Sequence, residues 1–172
     1  MTTGNNTTFS GSFAANDTGT LIMGGPGSLT FGAGMNLSNG TLTLFGGTLK
    51  LNGYTSTFGT LNVASNSILD FGTSGSSVLN ILNSLTVNSG VTLTIQNWTD
   101  TVDYFYSLTN PGADSLGRIV FTGFTGADTK WVPYGSTYQI TPVPEPATYG
   151  AALMLLGLSA GAWLRRRRQN RA

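Results

Sequence analysis

Residues 40–51 read GTLTLFGGTLKL, which is two short alternations of leucine with threonine or lysine, joined by two glycines. The leucines stand two apart, Leu42 with Leu44 in the first alternation and Leu49 with Leu51 in the second. Successive side chains of a β-strand point to opposite faces, so each pair lies on one face and the intervening residues lie on the other. Glycine adopts the positive φ that a tight corner needs. The stretch therefore predicts two short strands that meet at a corner.

The same alternation recurs through residues 20–96, and every second strand repeats it at a nearly constant interval. Leu49 follows Leu29 by 20 residues. Leu61 follows Leu42 by 19 residues, and Leu79 follows Leu61 by 18 residues. A period near 20 with apolar residues on one face is typical of a β-solenoid, in which each coil stacks on the previous one. The segments are GSLTF from 27, GTLTL from 40, GTLKL from 47, GTLNV from 59, SILDF from 67, SLTV from 84 and VTLTI from 91.

We therefore predict an all-β fold, with a right-handed parallel β-helix, or β-solenoid, in residues 1–96. An antiparallel β-sandwich is the alternative, because hairpins also give alternation with turns about every 8–12 residues. The regular two-strand period favours the solenoid. In that fold the inward side chains are buried and their neighbours in the strand contact water. We predict burial of Leu44, Leu51, Val63 and Leu93, and exposure of Thr43, Lys50, Asn62 and Thr94.

Aromatic residues concentrate in residues 97–141, after the repeats. The end of a solenoid exposes unpaired backbone and core, and a cap over it prevents edge-to-edge association. We predict that this segment is the cap, with strands at 118–124 and 137–141 closing the stack. An aromatic platform for carbohydrate is the alternative, although buried aromatic residues are far commoner. The aromatic residues are Trp98, Tyr104, Phe105, Tyr106, Phe121, Phe124, Trp131, Tyr134 and Tyr138.

Charged residues make up only 9% of the 172-residue chain, and histidine and cysteine are absent. Without histidine the chain lacks the usual general base and the commonest metal ligand. Without cysteine it can form neither disulfides nor thiolate metal sites. Residues 1–143 carry three basic and six acidic side chains, a net charge of −3. A mildly acidic body argues against a nucleic acid as its partner.

The repeats offer few groups for catalysis. Polysaccharide lyases and hydrolases on parallel β-helices need paired carboxylates, or calcium-binding carboxylates beside a basic residue. Residues 18–96 contain one carboxylate, Asp70, and one basic residue, Lys50. Asp100 and Asp103 form a DxxD pair in a threonine-rich connection, where we expect a solvated loop. We therefore predict a non-enzymatic surface or matrix protein with no catalytic, cofactor-binding or metal-binding residues. The alternative is a carbohydrate-binding or polysaccharide-degrading β-helix protein.

Residues 147–164, ATYGAALMLLGLSAGAWL, form a stretch without a charged side chain. As a helix it would be about 27 Å long, close to the ~30 Å hydrocarbon core of a bilayer. A helix of a soluble domain would show a polar stripe, and this one has none. Arg165, Arg166, Arg167 and Arg168 follow at once, and positive charge beside a membrane span stays on the cytoplasmic side. We predict one transmembrane helix, with these arginines as the stop-transfer signal and the body outside.

Pro144, Glu145 and Pro146 stand directly before that stretch. Together with Pro142, the prolines hold the segment extended, because proline has no N–H group and restricts the residue before it. The order of Pro-Glu-Pro, apolar span and arginine cluster resembles the PEP-CTERM sorting signal of exported proteins in Gram-negative, biofilm-forming bacteria. The resemblance places a sorting domain at 142–172. It implies that exosortase, a membrane protease-transpeptidase, recognises Pro144, Glu145 and Pro146.

The same resemblance implies a transient anchor in the inner membrane and a final location at the cell surface or in the extracellular matrix. Exopolysaccharide is then a further candidate partner. The repeats of the body also look like those of autotransporter passenger domains. PEP-CTERM proteins normally begin with a secretory signal peptide, and MTTGNNTTFSGSF has neither the basic nor the apolar region of one. We therefore expect the natural start, and further coils, upstream of Met1.

Overall fold

The computed structural model describes residues 6–10, 18–124 and 127–144. Within these ranges the regular structure is β-strand, apart from one short helix near the C-terminal end. The strands are β1 Thr7–Phe9, β2 Thr20–Gly24, β3 Ser28–Phe31, β4 Asn36–Phe45, β5 Thr48–Lys50, β6 Thr55–Ser65, β7 Ser67–Asp70, β8 Val78–Val87, β9 Leu93–Gln96, β10 Tyr104–Ser107, β11 Ile119–Phe121, β12 Ala127–Tyr134 and β13 Thr137–Pro144, and the helix is α1 Gly112–Leu116.

Strands from β2 to β11 alternate between two sheets, so each coil contributes one strand to each. The first sheet, sheet A, has the order β1-β3-β5-β7-β9-β11, and the second, sheet B, has the order β12-β13-β10-β8-β6-β4-β2. The pairs along sheet A and from β2 to β10 in sheet B are parallel. This is a parallel β-solenoid of about five coils. The solenoid prediction is confirmed, and the antiparallel sandwich is wrong.

The register explains the observed repeat length. Leu29, Leu49 and Leu69 are direct partners in sheet A, at the constant interval that the sequence predicts. Leu61, however, pairs with Leu85 and not with the earlier Leu79. The later coils are longer because seven residues connect β7 to β8, whereas four connect β5 to β6. The three additional residues in the β7–β8 loop change which residues are partners between coils, but the same face of each strand stays buried.

The long strands of sheet B bend at glycine positions. The pairing of β4 with β6 shifts between Leu37 and Thr41, and the pairing of β6 with β8 shifts on either side of Gly59. A Cβ atom on Gly59 would lie 2.7 Å from the Ser38 carbonyl oxygen and 3.0 Å from that of Gly40. Because backbone carbonyls of the neighbouring coil occupy this space, only glycine fits the bend without displacement.

The core lies between the two sheets and is filled by inward aliphatic and aromatic side chains. Leu44, Leu51, Val63 and Leu93 are fully buried, which confirms the sequence prediction. The neighbours Lys50, Asn62 and Thr94 are partly exposed. Thr43 is only 8% exposed, so its predicted exposure is wrong. It lies on β4 between Ile22 and Asn62, its partners on the adjoining strands.

The parallel stack continues beyond residue 96 into the segment predicted as a cap. β10 pairs with β8, and β11 pairs with β9, so both are further rungs of the solenoid. The hairpin of β12 and β13 then closes sheet B, with β13 antiparallel to β10 at Gln139 and Tyr106. Trp131 Nε1 donates a hydrogen bond of 2.8 Å to the Ser107 carbonyl and ties the hairpin to the last coil.

No helix within residues 6–10, 18–124 and 127–144 is long and apolar enough to cross a membrane. The transmembrane helix predicted at 147–164 lies outside the described residues. So do Glu145, Pro146 and the cluster Arg165, Arg166, Arg167 and Arg168.

Candidate functional site

The five parallel strands of sheet B carry only uncharged side chains. Strands β2, β4, β6, β8 and β10 contain no Asp, Glu, Lys or Arg. Parallel pairing places Asn36, Thr57 and Asn80 side by side on successive rungs, and Tyr106 continues the row on β10. Asn80 Nδ2 donates a hydrogen bond of 3.2 Å to Thr57 Oγ1. We call Asn36, Thr57 and Asn80 the polar ladder.

Three tyrosines gather where the polar ladder reaches β10. Tyr104 and Tyr106 lie on the outer side of this strand, because Phe105 between them is fully buried. Their rings are stacked, with centroids 5.5 Å apart and planes at 8°. Tyr134 of β12 is 44% exposed, and its ring centroid lies 5.4 Å from that of Tyr104 and 5.9 Å from that of Tyr106. We call Tyr104, Tyr106 and Tyr134 the tyrosine face.

The hydroxyl of Tyr104 has two hydrogen-bond partners. It accepts a hydrogen bond of 3.3 Å from the hydroxyl of Tyr134 and donates one of 2.9 Å to the Thr101 carbonyl. The bond with Tyr134, then desolvation, then repulsion from neighbouring anionic groups raise the pKa of Tyr104 from 10.0 to about 12. Desolvation, followed by the proximity of Tyr134, also raises the pKa of Tyr106. Both tyrosines are therefore uncharged at neutral pH.

The aromatic residues of segment 97–141 divide between core and surface. Trp98 and Phe121 are buried, with ring centroids 5.1 Å apart in an edge-to-face contact, and Phe105 is buried as well. These rings lie in the core, whereas the rings of the tyrosine face lie outside it. The alternation in Tyr104-Phe105-Tyr106 is the sequence signal that separates the two groups. Aromatic content alone, on which the cap prediction depends, does not reveal the division.

The three aspartates considered for catalysis bind backbone or amide N–H groups. Asp70 accepts hydrogen bonds from Gly72 N and Asn97 Nδ2 at 2.9 and 2.7 Å. Asp100 lies in an exposed turn and accepts one from the next residue. Asp103 is only 2% exposed, so the solvated loop predicted for it is wrong.

The burial of Asp103 has a structural reason. Its two oxygens accept hydrogen bonds from Ser77 N and Thr99 N at 2.9 and 2.8 Å, which joins the β7–β8 connection to the β9–β10 connection. Asp100 and Asp103 therefore have different partners. Among the residues that the structure describes, no group of three or more His, Cys, Asp or Glu side chains could hold a metal ion.

The C-terminal end of the described chain is an extended strand. Residues 142–144 of β13 pair antiparallel with 127–129 of β12, and Pro142 is buried. The extended conformation predicted from the prolines is thus confirmed up to Pro144. The remaining residues of the predicted recognition sequence, Glu145 and Pro146, come next in the sequence.

Comparison with known protein families gives a match that begins at this strand. Residues 142–168 carry a PEP-CTERM protein-sorting motif. The motif implies recognition by exosortase, export and sorting to the cell surface. No curated protein and no solved structure matches the chain.

The PEP-CTERM motif shares residues 142–144 with the folded body. Of the predicted recognition residues, Pro144 ends β13, and Glu145 and Pro146 follow it outside the described residues. Because the motif starts within a paired strand, the body and the sorting signal form one continuous stretch of chain. The roles of these residues and of the arginine cluster stay predictions.

Proposed function

We propose that this chain is an exported, exosortase-processed protein of the cell surface or extracellular matrix, with a structural or adhesive role and no catalytic activity. The observation that carries the proposal is the PEP-CTERM motif, joined directly to a folded β-solenoid. Exosortase would recognise Pro144, Glu145 and Pro146. The segment 147–164 would anchor the chain transiently in the inner membrane, and Arg165 to Arg168 would stop transfer.

The geometry of the body supports a scaffold. Each coil buries the same inward face, so stacked coils present a continuous outer surface, and the chain has no cysteine for a disulfide. The few carboxylates accept hydrogen bonds that fix turns, as Asp70 and Asp103 do. Glycosidases use two carboxyl groups that flank one bond, which is a different arrangement.

A second candidate function is carbohydrate binding, and the tyrosine face is the observation that favours it. Outward-facing, stacked tyrosines beside amide and hydroxyl groups suit sugar rings better than they suit a protein core. Binding to carbohydrate is compatible with the first proposal, since a matrix protein contacts polysaccharide. Polysaccharide degradation has no comparable support among the described residues.

Comparison of the protein in two backgrounds of the host that encodes it tests the proposal. In cells with exosortase, we expect the protein to be shorter than the full gene product and to appear at the surface or in the medium. In cells without exosortase, we expect the longer form to remain in the inner membrane. Identical size and location in both backgrounds would contradict exosortase processing.

A further inference from the structure

The tyrosine face is an outer surface with a composition that the fold does not require. Phe105 fills the core position on β10, so Tyr104 and Tyr106 add nothing to the interior. The positions in the same row on the neighbouring strands β8 and β6 carry Asn80 and Thr57. Clustered aromatic rings at a surface are costly in water unless a partner covers them, and tyrosine offers such a partner both an apolar ring and a hydroxyl.

We propose that the tyrosine face and the polar ladder together bind a neutral polysaccharide, whose chain runs across the strands of sheet B. Ring faces of sugars carry C–H groups that pack on aromatic rings, and their edges carry hydroxyl groups. The tyrosine face supplies the rings. The polar ladder supplies donors and acceptors for the hydroxyls.

The spacing of the ladder matches a polymer. Neighbouring strands lie about 4.8 Å apart, so Asn36, Thr57, Asn80 and Tyr106 present one group at each step along the solenoid axis. This step is comparable to the length of one sugar unit in an extended glycan. A single sugar would use one rung, whereas a chain contacts several rungs in turn and gains affinity through repetition.

The charged residues near the proposed binding surface favour a neutral polysaccharide over an anionic one. The five parallel strands of sheet B contain no Asp, Glu, Lys or Arg. On the adjoining hairpin, Lys130 and Asp128 form an exposed ion pair of 2.8 Å, and Asp100 lies near Tyr104. An anionic polymer would need cationic partners, and the one lysine of this hairpin, Lys130, is already paired with Asp128. The outer side of sheet A, with Lys50 and Asp70 on adjacent rungs, is less suited to a neutral chain.

Tyr104 and Tyr106 also carry no charge, and their raised pKa values extend the protonated form to higher pH. Their hydroxyl groups therefore remain neutral at neutral pH. The inference deepens the proposed function and rests on it only for the biological setting, because a surface or matrix protein meets polysaccharide outside the cell. Binding by the purified chain does not depend on sorting.

Native electrophoresis in gels that contain polysaccharide tests the inference. The full chain, purified in a detergent without a sugar headgroup, is run in gels with hydroxyethyl cellulose, galactomannan or dextran as neutral polymers and alginate as the anionic one. We expect at least one neutral polymer to retard the protein and alginate not to. Retardation by none of the neutral polymers, or by alginate alone, would overturn the inference.

Three tyrosine variants and one control variant locate the binding surface. Tyr106→Ala and Tyr134→Ala should each weaken binding about tenfold, as truncation of an aromatic residue at the centre of an interface commonly does. Tyr134→Trp, which keeps a ring at this exposed position, should restore binding. Phe45→Ala is the matched control, because it also removes an exposed aromatic ring from sheet B. Phe45 is 50% exposed and stands at the end of β4 opposite Asn36, so it lies outside both the ladder and the tyrosine face. Thermal unfolding checks that each variant is folded.

The outcomes separate the two proposals. Equal loss of binding in Phe45→Ala, or unchanged binding in both tyrosine variants, would overturn this inference. A change in oligomeric state of Tyr134→Ala, measured by sedimentation without polysaccharide, would show that a second copy covers the face and would overturn it too. If the protein is processed but does not bind polysaccharide, the proposed function stands and the inference fails. If it binds polysaccharide but is not processed, the inference stands and the proposed function fails.

Discussion

Tyr104 and Tyr106 stack on the outer side of β10 with their ring planes at 8° and their centroids 5.5 Å apart. The residue between them, Phe105, is fully buried in the core. Because successive side chains of a strand point to opposite faces, Phe105 packs in the core while the two tyrosines face the solvent. In a solenoid every rung repeats this division, so the core and the candidate binding surface extend together along the axis.

Leu51 and Lys50 test whether adjacent residues of a coil lie on a buried face and a solvent face. Leu51 is fully buried, whereas Lys50 is partly exposed on the outer side of sheet A. Leu51→Ala should lower the free energy of unfolding by about 2–5 kcal/mol, since it leaves a cavity between packed coils. Lys50→Ala, the control, should change it by less than about 0.5 kcal/mol. Chemical denaturation measures both, and equal effects would contradict the assigned strand faces.

Gly59 tests the bend in the long strands of sheet B. An added Cβ would lie 2.7 Å from the carbonyl oxygen of Ser38, so Gly59→Ala must displace backbone of the neighbouring coil. We expect the free energy of unfolding to fall by about 1–3 kcal/mol, the usual cost of overpacking. Gly19→Ala is the control, because a Cβ there meets nothing within 4 Å. A Gly59→Ala variant as stable as Gly19→Ala would be inconsistent with the described bend.

The sequence predicts the solenoid well because its signals are local and repeated. Leu29, Leu49 and Leu69 recur at a constant interval and are direct partners in the structure. The pairing of Leu61 with Leu85 is not predicted, because an apolar residue also stands at Leu79 and the length of a loop carries no periodic signal.

The candidate binding surface can be predicted only in part. The alternation at residues 104–106 places two tyrosines outside, but Tyr134 comes from β12, which no repeat predicts. Its approach to Tyr104 depends on antiparallel closure by the hairpin. The burial of Asp103 is likewise hidden in the sequence, because its partners Ser77 and Thr99 come together only when two loops stack. The sorting motif, by contrast, is continuous in sequence and can be recognised directly.

Tyr134 tests the electrostatics of the tyrosine face. Its hydrogen bond with Tyr104 is the first cause of the raised pKa of Tyr104, so Tyr134→Phe should lower that pKa from about 12 toward 10.0. Because the folded-state pKa is raised, the associated stability is fully present below pH 10.0 and is lost as the pH rises toward about 12. Ultraviolet difference titration of tyrosinate measures the shift. The same high-pH transition in both proteins would refute the assigned cause.

The central claim is that the C-terminal motif directs an exported solenoid to exosortase, and one replacement tests it most directly. Pro144, Glu145 and Pro146 are changed together to alanine in the host that encodes the protein, with exosortase present. Pro133→Ala is the control, because this proline is exposed on β12 and lies outside the motif. The size and location of the protein are followed by immunoblotting of membrane, surface and medium fractions. We predict that the triple variant is exported but stays unprocessed at the inner membrane, whereas Pro133→Ala matures normally; a triple variant with the size and location of the unchanged protein would contradict the account.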